Sequence, residues 1–188
     1  MKSMPGRARQ VSPDVSRILV STDQIQDRVG DLARQISRDY AKAETLLLVG
    51  ILRGAFIFLA DLTRRISVPH SVDFMAVSSY GKDASHGEVR ILMDLREPVE
   101  GQHILVVEDI VDSGQTLEYL YRLLQSRNPA SLRTCVMVRK KRPGRSIPID
   151  YLGFEIPDVW VVGYGLDYAD RFRTLPYIAE FKDPAGAR

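Results

Sequence analysis

Polar and apolar positions along this chain fall into two kinds of block. Short, largely apolar runs occupy 46–51, 72–77, 104–107 and 133–138 and read as strands, and 104–107, rich in β-branched residues, reads as one buried on both faces. Between them the spacing turns helical. Ser21 and Gln24 fit a capping box, and Ile25, Val29, Leu32 and Ile36 then repeat at helical intervals to about Tyr40. Residues from Ala55 to about Ile66 are apolar on most sides and predict a helix packed under the sheet. Leu117, Leu120, Tyr121 and Leu124 fall at i, i+3, i+4, i+7 and predict a third helix, starting near Thr116. A short strand is expected over 91–95, a basic loop over 139–145 and a final strand around 159–162. Strands alternating with helices imply an α/β fold with a parallel sheet and right-handed crossovers. Ligands of such sheets bind at the carboxyl ends of the strands.

Composition narrows this picture only slightly. A length of 188 residues suits one domain, expected over 18–188, behind a polar and basic stretch, 1–17, that reads as a mobile tail. Hydrophobic residues make up 45% and charged residues 27%, ordinary for a soluble protein, and a net charge of +2 points neither to nor away from a polyanionic partner. No apolar segment follows MKSMPGRARQ as a secretory signal would require, and no run approaches the ~18 apolar residues of a membrane span. The single cysteine, Cys135, lies in an apolar stretch and reads as a small buried hydrophobe, with no disulfide framework or Cys-based zinc site to build. His70, His86 and His103 are scattered without metal spacing. A cytoplasmic location is expected, with no membrane partner.

The chemistry concentrates in ILVVEDIVDSGQT, residues 104–116. An apolar strand runs into two adjacent acids, Glu108 and Asp109, and then into the turn Asp112-Ser113-Gly114-Gln115-Thr116 that opens a helix. A strand feeding such a turn offers free backbone N–H groups and the positive end of a helix dipole to a phosphate. Three carboxylates beside a phosphate site make sense if the ligand also brings hydroxyl donors or a divalent cation. A strand end with solvated acids is the plainer alternative.

This segment resembles the phosphoribosyl-pyrophosphate (PRPP) motif of the type I phosphoribosyltransferases: four hydrophobic residues, two acids, then D-S/T-G-x-T. The resemblance implies a parallel-sheet core flanked by helices under a small hood, the hood drawn from the N-terminal region and the chain after about residue 140. It implies that Glu108 and Asp109 hold the ribose hydroxyls, directly or around Mg2+. It also implies that Asp112, Ser113, Gly114, Gln115 and Thr116 wrap the 5′-phosphate. The likeness extends over most of the chain, to the hypoxanthine-guanine phosphoribosyltransferases, through Leu52-Arg53-Gly54, Ser78-Ser79-Tyr80-Gly81, the GFEIPD segment at 153–158 and VWVVGYGLDY at 159–168. The partners it implies are PRPP and an oxo-purine, hypoxanthine or guanine, joined at N9 to give IMP or GMP and pyrophosphate, in a homodimer or homotetramer.

Residue roles carry over one by one from that resemblance. Asp112 is the general base near purine N7; a plain helix cap is its alternative. Trp160 stands where relatives use Phe or Tyr to stack on the purine, and the Val161 backbone reads its Watson–Crick edge. A lysine after the strand holding Cys135 donates to the 6-oxo group and so selects against adenine; Lys140 aligns best, and Lys141 is one residue away. Arg173 and the 52–54 loop, Leu52, Arg53 and Gly54, hold pyrophosphate; relatives often have Lys at Arg53 and a non-proline cis peptide, here Leu52–Arg53. Asp167 matches an acid on a second Mg2+, against a surface turn as its alternative. The polar stretch from Ser78 to about Val89 fits a catalytic lid with Ser79 and Tyr80 at its tip. Two other functions fit the same motif. A xanthine-preferring enzyme keeps the mechanism. A non-catalytic PRPP-sensing regulator that binds nucleic acid keeps only the PRPP loop; the presence of Asp112, Lys140, Trp160 and Asp167 argues against it, and no nucleic acid is expected as a partner.

Overall fold

The computed structural model describes residues 14–80, 88–142 and 148–182. Strands β2 (Leu46–Leu52), β3 (His70–Tyr80), β4 (Glu88–Met93), β5 (His103–Val111), β6 (Ser131–Lys140) and β7 (Tyr151–Ile156) form one six-stranded sheet in the order β4-β3-β2-β5-β6-β7. Neighbours are parallel except β3 and β4, which form an antiparallel pair. The apolar runs are continuous because both faces are covered. Leu46 and Leu48 of β2 face one core with Leu105 and Val107 of β5, while Leu47 and Val49 face the other with Ile104 and Val106. The period-2 alternation of a strand sends successive side chains into different cores.

Two helices cover the first face. Helix α1 (Thr22–Asp39) begins at the expected capping box: Gln24 N–H donates to Ser21 Oγ at 3.2 Å, and Ser21 N–H to Gln24 Oε1 at 2.9 Å. Its buried stripe is Ile25, Val29, Leu32, Ala33 and Ile36. Helix α2 (Phe56–Thr63) buries Phe58, Leu59 and Leu62 beside it. On the other face, helix α3 (Gln115–Gln125) buries Leu117, Leu120 and Leu124. A separate three-stranded antiparallel sheet, β1 (Val15–Val20), β9 (Ile178–Phe181) and β8 (Val161–Val162) in the order β1-β9-β8, forms the hood. Its own small core holds Val15, Val162, Tyr177, Ala179 and Phe181.

Several boundaries differ from the sequence expectations. Residues 1–13 of the expected tail lie outside the described residues, but Val15 is buried and opens β1, so 15–17 belong to the hood. Bulges interrupt β1, and its burial follows no simple period. Strand β4 starts three residues earlier than expected, at Glu88, held by its antiparallel pairing with β3. Arg139 and Lys140, expected in a loop, are the last residues of β6; they pair with Val111 of β5 and with Glu155 and Ile156 of β7. The hood takes less of the chain than expected. Tyr151 and Ile156 are buried in the core beside α1 and α2, so the chain after residue 140 first adds β7 to the main sheet. The final strand shrinks to Val161 and Val162 in the hood. No helix among the described residues is long and apolar enough to cross a membrane.

Candidate active site

The site lies at the carboxyl ends of β2, β5 and β6, where the hood approaches the main sheet. Strand β5 runs past both acids to Val111, with Ile110 and Val111 paired to Val138 and Arg139 of β6. Glu108 is 8% exposed, and its Oε2 is buried without a hydrogen-bond partner. Burial pushes its carboxyl well above the usual carboxylate range, and the neighbouring Asp109 charge pushes it further. Asp109 is likewise raised by burial, to about 6, against the pull of the Ile110 N–H, which donates to Oδ1 at 2.9 Å. The 52–54 loop presses on this carboxylate. A Cβ at residue 54 would fall 1.5 Å from Asp109 Oδ2, so only glycine leaves the acid room. The Leu52–Arg53 peptide is cis.

The turn after β5 forms an open cavity of about 200 Å³ lined by Glu108, Ile110, Asp112, Ser113, Gly114, Gln115 and Thr116, among others. The helix N-cap is Gly114, at φ 81°, so Asp112 is not the cap and the plainer role weighed for it falls away. The left-handed residue lets the chain turn sharply and present successive N–H groups to one point. Helix α3 starts at Gln115, one residue before the sequence expectation.

A second cavity of about 180 Å³ adjoins the first, lined by Asp109, Ile110, Asp112, Lys140, Trp160, Val161, Leu166 and Asp167. Trp160 is 63% exposed, which excludes the core role weighed for it. Lys140 Nζ lies 5.7 Å from the centre of its ring, and Tyr168 meets it edge-on at 6.3 Å. Lys140, not Lys141, lines this cavity. Lys141 instead faces a neighbouring hollow with Arg139, Arg142 and Glu155. Lys140 Nζ stands 3.3 Å from Asp112 Oδ2 and 3.4 Å from Asp158 Oδ1.

On the far side of the Asp109 carboxylate, Arg173 donates to Gly165 O at 2.7 Å and pairs with Asp167 at 2.7 Å and Asp170 at 3.2 Å. Arg53 pairs with Asp170 at 3.0 Å. The hood turn is fixed from below, where the Tyr164 hydroxyl donates to Asp61 of α2 at 2.8 Å. A Cβ at Gly165 would lie 2.0 Å from Gly54 O, so hood and loop touch backbone to backbone.

A phosphate cradle, two acids and an aromatic-lined cavity with a lysine thus meet in one place, and comparison with known proteins gives that arrangement a family. The Phosphoribosyl transferase domain model matches residues 21–169. The hypoxanthine-guanine phosphoribosyltransferase of Dictyostelium discoideum is 49% identical over 175 residues, covering 90% of this chain and 97% of that protein. The hypoxanthine-guanine phosphoribosyltransferase of Mycobacterium tuberculosis is 47% identical over 182 residues, covering 93% and 90%. The chain belongs to the hypoxanthine-guanine phosphoribosyltransferase family. A crystal structure of a Staphylococcus aureus hypoxanthine phosphoribosyltransferase superposes with a TM-score of 0.87 at 39% identity, over 93% of this chain and 96% of that one.

In this member of the family the structure also brings in residues that the sequence did not single out. Arg142 pairs closely with Asp112 and reaches Asp158 at 3.6 Å. Asp170 joins the two arginines. Arg142 read as one more solvated cation of a basic run, and nothing in its sequence neighbourhood separates it from the others. Asp158 stood in a quoted motif without a role. Of the lid residues, Ser79 and Tyr80 pair through their backbones with Val89 and Glu88 as β3 turns toward β4, and 81–87 lie outside the described residues.

Proposed function

We propose that the protein transfers the 5-phosphoribosyl group of PRPP to N9 of hypoxanthine or guanine, giving IMP or GMP and pyrophosphate. The observation that carries this reading is that the phosphate cradle and the aromatic-lined cavity share Ile110 and Asp112, while Glu108 and Asp109 stand at their junction. A nucleotide laid across that junction puts its phosphate on the N-terminus of α3, its ribose hydroxyls at the two acids and its base against Trp160.

The bond from ribose C1 to the pyrophosphate oxygen breaks, the bond from C1 to N9 forms, and the N7 proton passes to Asp112. The transition state resembles an oxocarbenium ion, as in other glycosyl transfers. In the free protein Asp112 is held by Lys140 and Arg142. An oxo-purine offers a 6-oxo acceptor that draws Lys140 away and an N7 proton that takes its place at Asp112. Adenine turns a donor toward Lys140, which stays on Asp112 and Asp158 and gives that base no hydrogen bond. Arg53 and Arg173 stand where pyrophosphate departs.

The residues fit Mg2+. Glu108 has a buried, unpartnered carboxylate oxygen, and Asp109 stands beside it. Mg2+ commonly takes one or two protein carboxylates and completes its shell with substrate oxygens and water. Held by Glu108 and Asp109, the ion would supply positive charge to offset the charge that develops on the leaving pyrophosphate.

A nucleotide-formation assay tests the reading: PRPP and Mg2+ with hypoxanthine, guanine, xanthine or adenine in turn. Hypoxanthine or guanine should turn over, with loss of activity on chelation. Asp112→Asn should lower kcat by about 100- to 10,000-fold. Turnover of xanthine alone would keep the mechanism and change the acceptor. No turnover of any base would overturn the assignment.

A further inference from the structure

We propose that Asp170 is an internal stand-in for pyrophosphate, a carboxylate that holds Arg53 and Arg173 in the free protein and must be displaced when the anion binds. The proposal rests on the functional reading above. One oxygen carries the geometry: Asp170 Oδ1 lies 3.0 Å from Arg53 Nη2 and 3.2 Å from Arg173 Nη2. The two arginines come from opposite sides of the site, Arg53 from the loop after β2 and Arg173 from the turn that leads into β9. An anionic oxygen bridging two guanidinium groups is the arrangement a phosphoryl oxygen would take in the same place.

The backbone holds the carboxylate where it is. Asp170 sits at φ 60°, in the left-handed region, and its N–H donates to Asp167 Oδ2 at 2.7 Å. Its side chain therefore projects from a pinned turn. Arg173 has other anchors, the Gly165 carbonyl and Asp167. Arg53 has no ion-pair partner but Asp170 among the described residues, and its side chain is 71% exposed. Exposed pairs of this kind are weak, so a multivalent anion can displace the carboxylate. Asp170 then does two things: it holds both guanidinium groups around one anionic oxygen, and it competes with pyrophosphate for them. Competition weakens the hold on the leaving group and favours its release.

The test is calorimetric titration of the full-length protein with Mg2+ and pyrophosphate, without purine. Asp170→Asn keeps the left-handed backbone, which Asn tolerates, and the N–H to Asp167, but removes the charge. Pyrophosphate should bind about three- to tenfold more tightly to this variant. The KM for PRPP should fall while the KM for hypoxanthine or guanine stays constant. Asp94→Asn, which removes an acid paired with Arg127 away from the site, should leave the pyrophosphate affinity unchanged. The gain should also shrink when Asp170→Asn is made in an Arg53→Ala background, because the effect runs through that arginine. Equal or weaker binding by Asp170→Asn, or a gain undiminished without Arg53, would overturn the stand-in. A wild-type protein that binds no pyrophosphate would overturn the functional reading itself, and this proposal with it.

Discussion

Glu108 and Asp109 end the apolar part of β5, Glu108 buried and Asp109 half-buried. Raised carboxyl pKa values make the folded state bind protons that the unfolded chain has already released. Stability of the ligand-free protein from this source is therefore full at low pH and is lost as pH rises from the unfolded value through the folded one, about 4 to about 6 for Asp109. Asp109→Asn removes the penalty. In chelator, it should raise stability at pH 7.5 by about 1–3 kcal/mol and change it little at pH 4, as read by urea denaturation at both values. PRPP binding should fall at the same time. An equal gain at both pH values would show that burial of the charge is not its source. Glu108, Asp109 and Asp112 were legible in the sequence because three acids around a phosphate turn demand a chemical explanation. Arg142 and Asp170 were not. Each is an ordinary charged residue locally, and its role comes from partners brought together by the fold, 117 positions apart for Asp170 and Arg53.

At the scale of elements, the sequence reading stopped β5 at Val107 and β6 at Val138 because polar residues follow. Pairing extends both strands, and this places Glu108, Asp109 and Lys140 on rigid backbone instead of loops. The capping box of α1 was legible because it needs only four consecutive residues. Strand β7 was hidden inside a motif read for its purine-site resemblance. Its Gly153 packs against β6, where a Cβ would fall 2.2 Å from Met137 O, and its carbonyl accepts from Arg28 of α1 at 3.1 Å. Gly153→Ala should force β6 and β7 apart and lower stability by about 1–3 kcal/mol in denaturant unfolding. A change under a few tenths would mean that the edge strand yields freely. The end of β6 carries Lys140, so the KM for the purine should rise with the lost stability.

The whole molecule divides the labour between two sheets. The main sheet carries the PRPP cradle and the acids, and the hood brings Trp160, Val161 and Asp167 over it. The doubly covered sheet was legible from its apolar runs, because burial on both faces removes polar alternation. The hood was legible only through family likeness, since its strands are short, bulged and drawn from distant parts of the chain. That last feature sets an order of assembly. Val15–Val20 leaves the ribosome first among these strands, and its partner Ile178–Phe181 leaves last. Every strand of the main sheet lies between them. During synthesis the PRPP half can close while β1 waits, its edge unpaired, for β9 to emerge. Released chains truncated after residue 160 should protect the main sheet from protease but leave 14–20 open to cleavage. Protection of 14–20 in those chains would show another partner for β1. The purine side is thus completed only after every strand of the main sheet, so a chain stopped before β9 holds the phosphate cradle without the sheet that carries Val161.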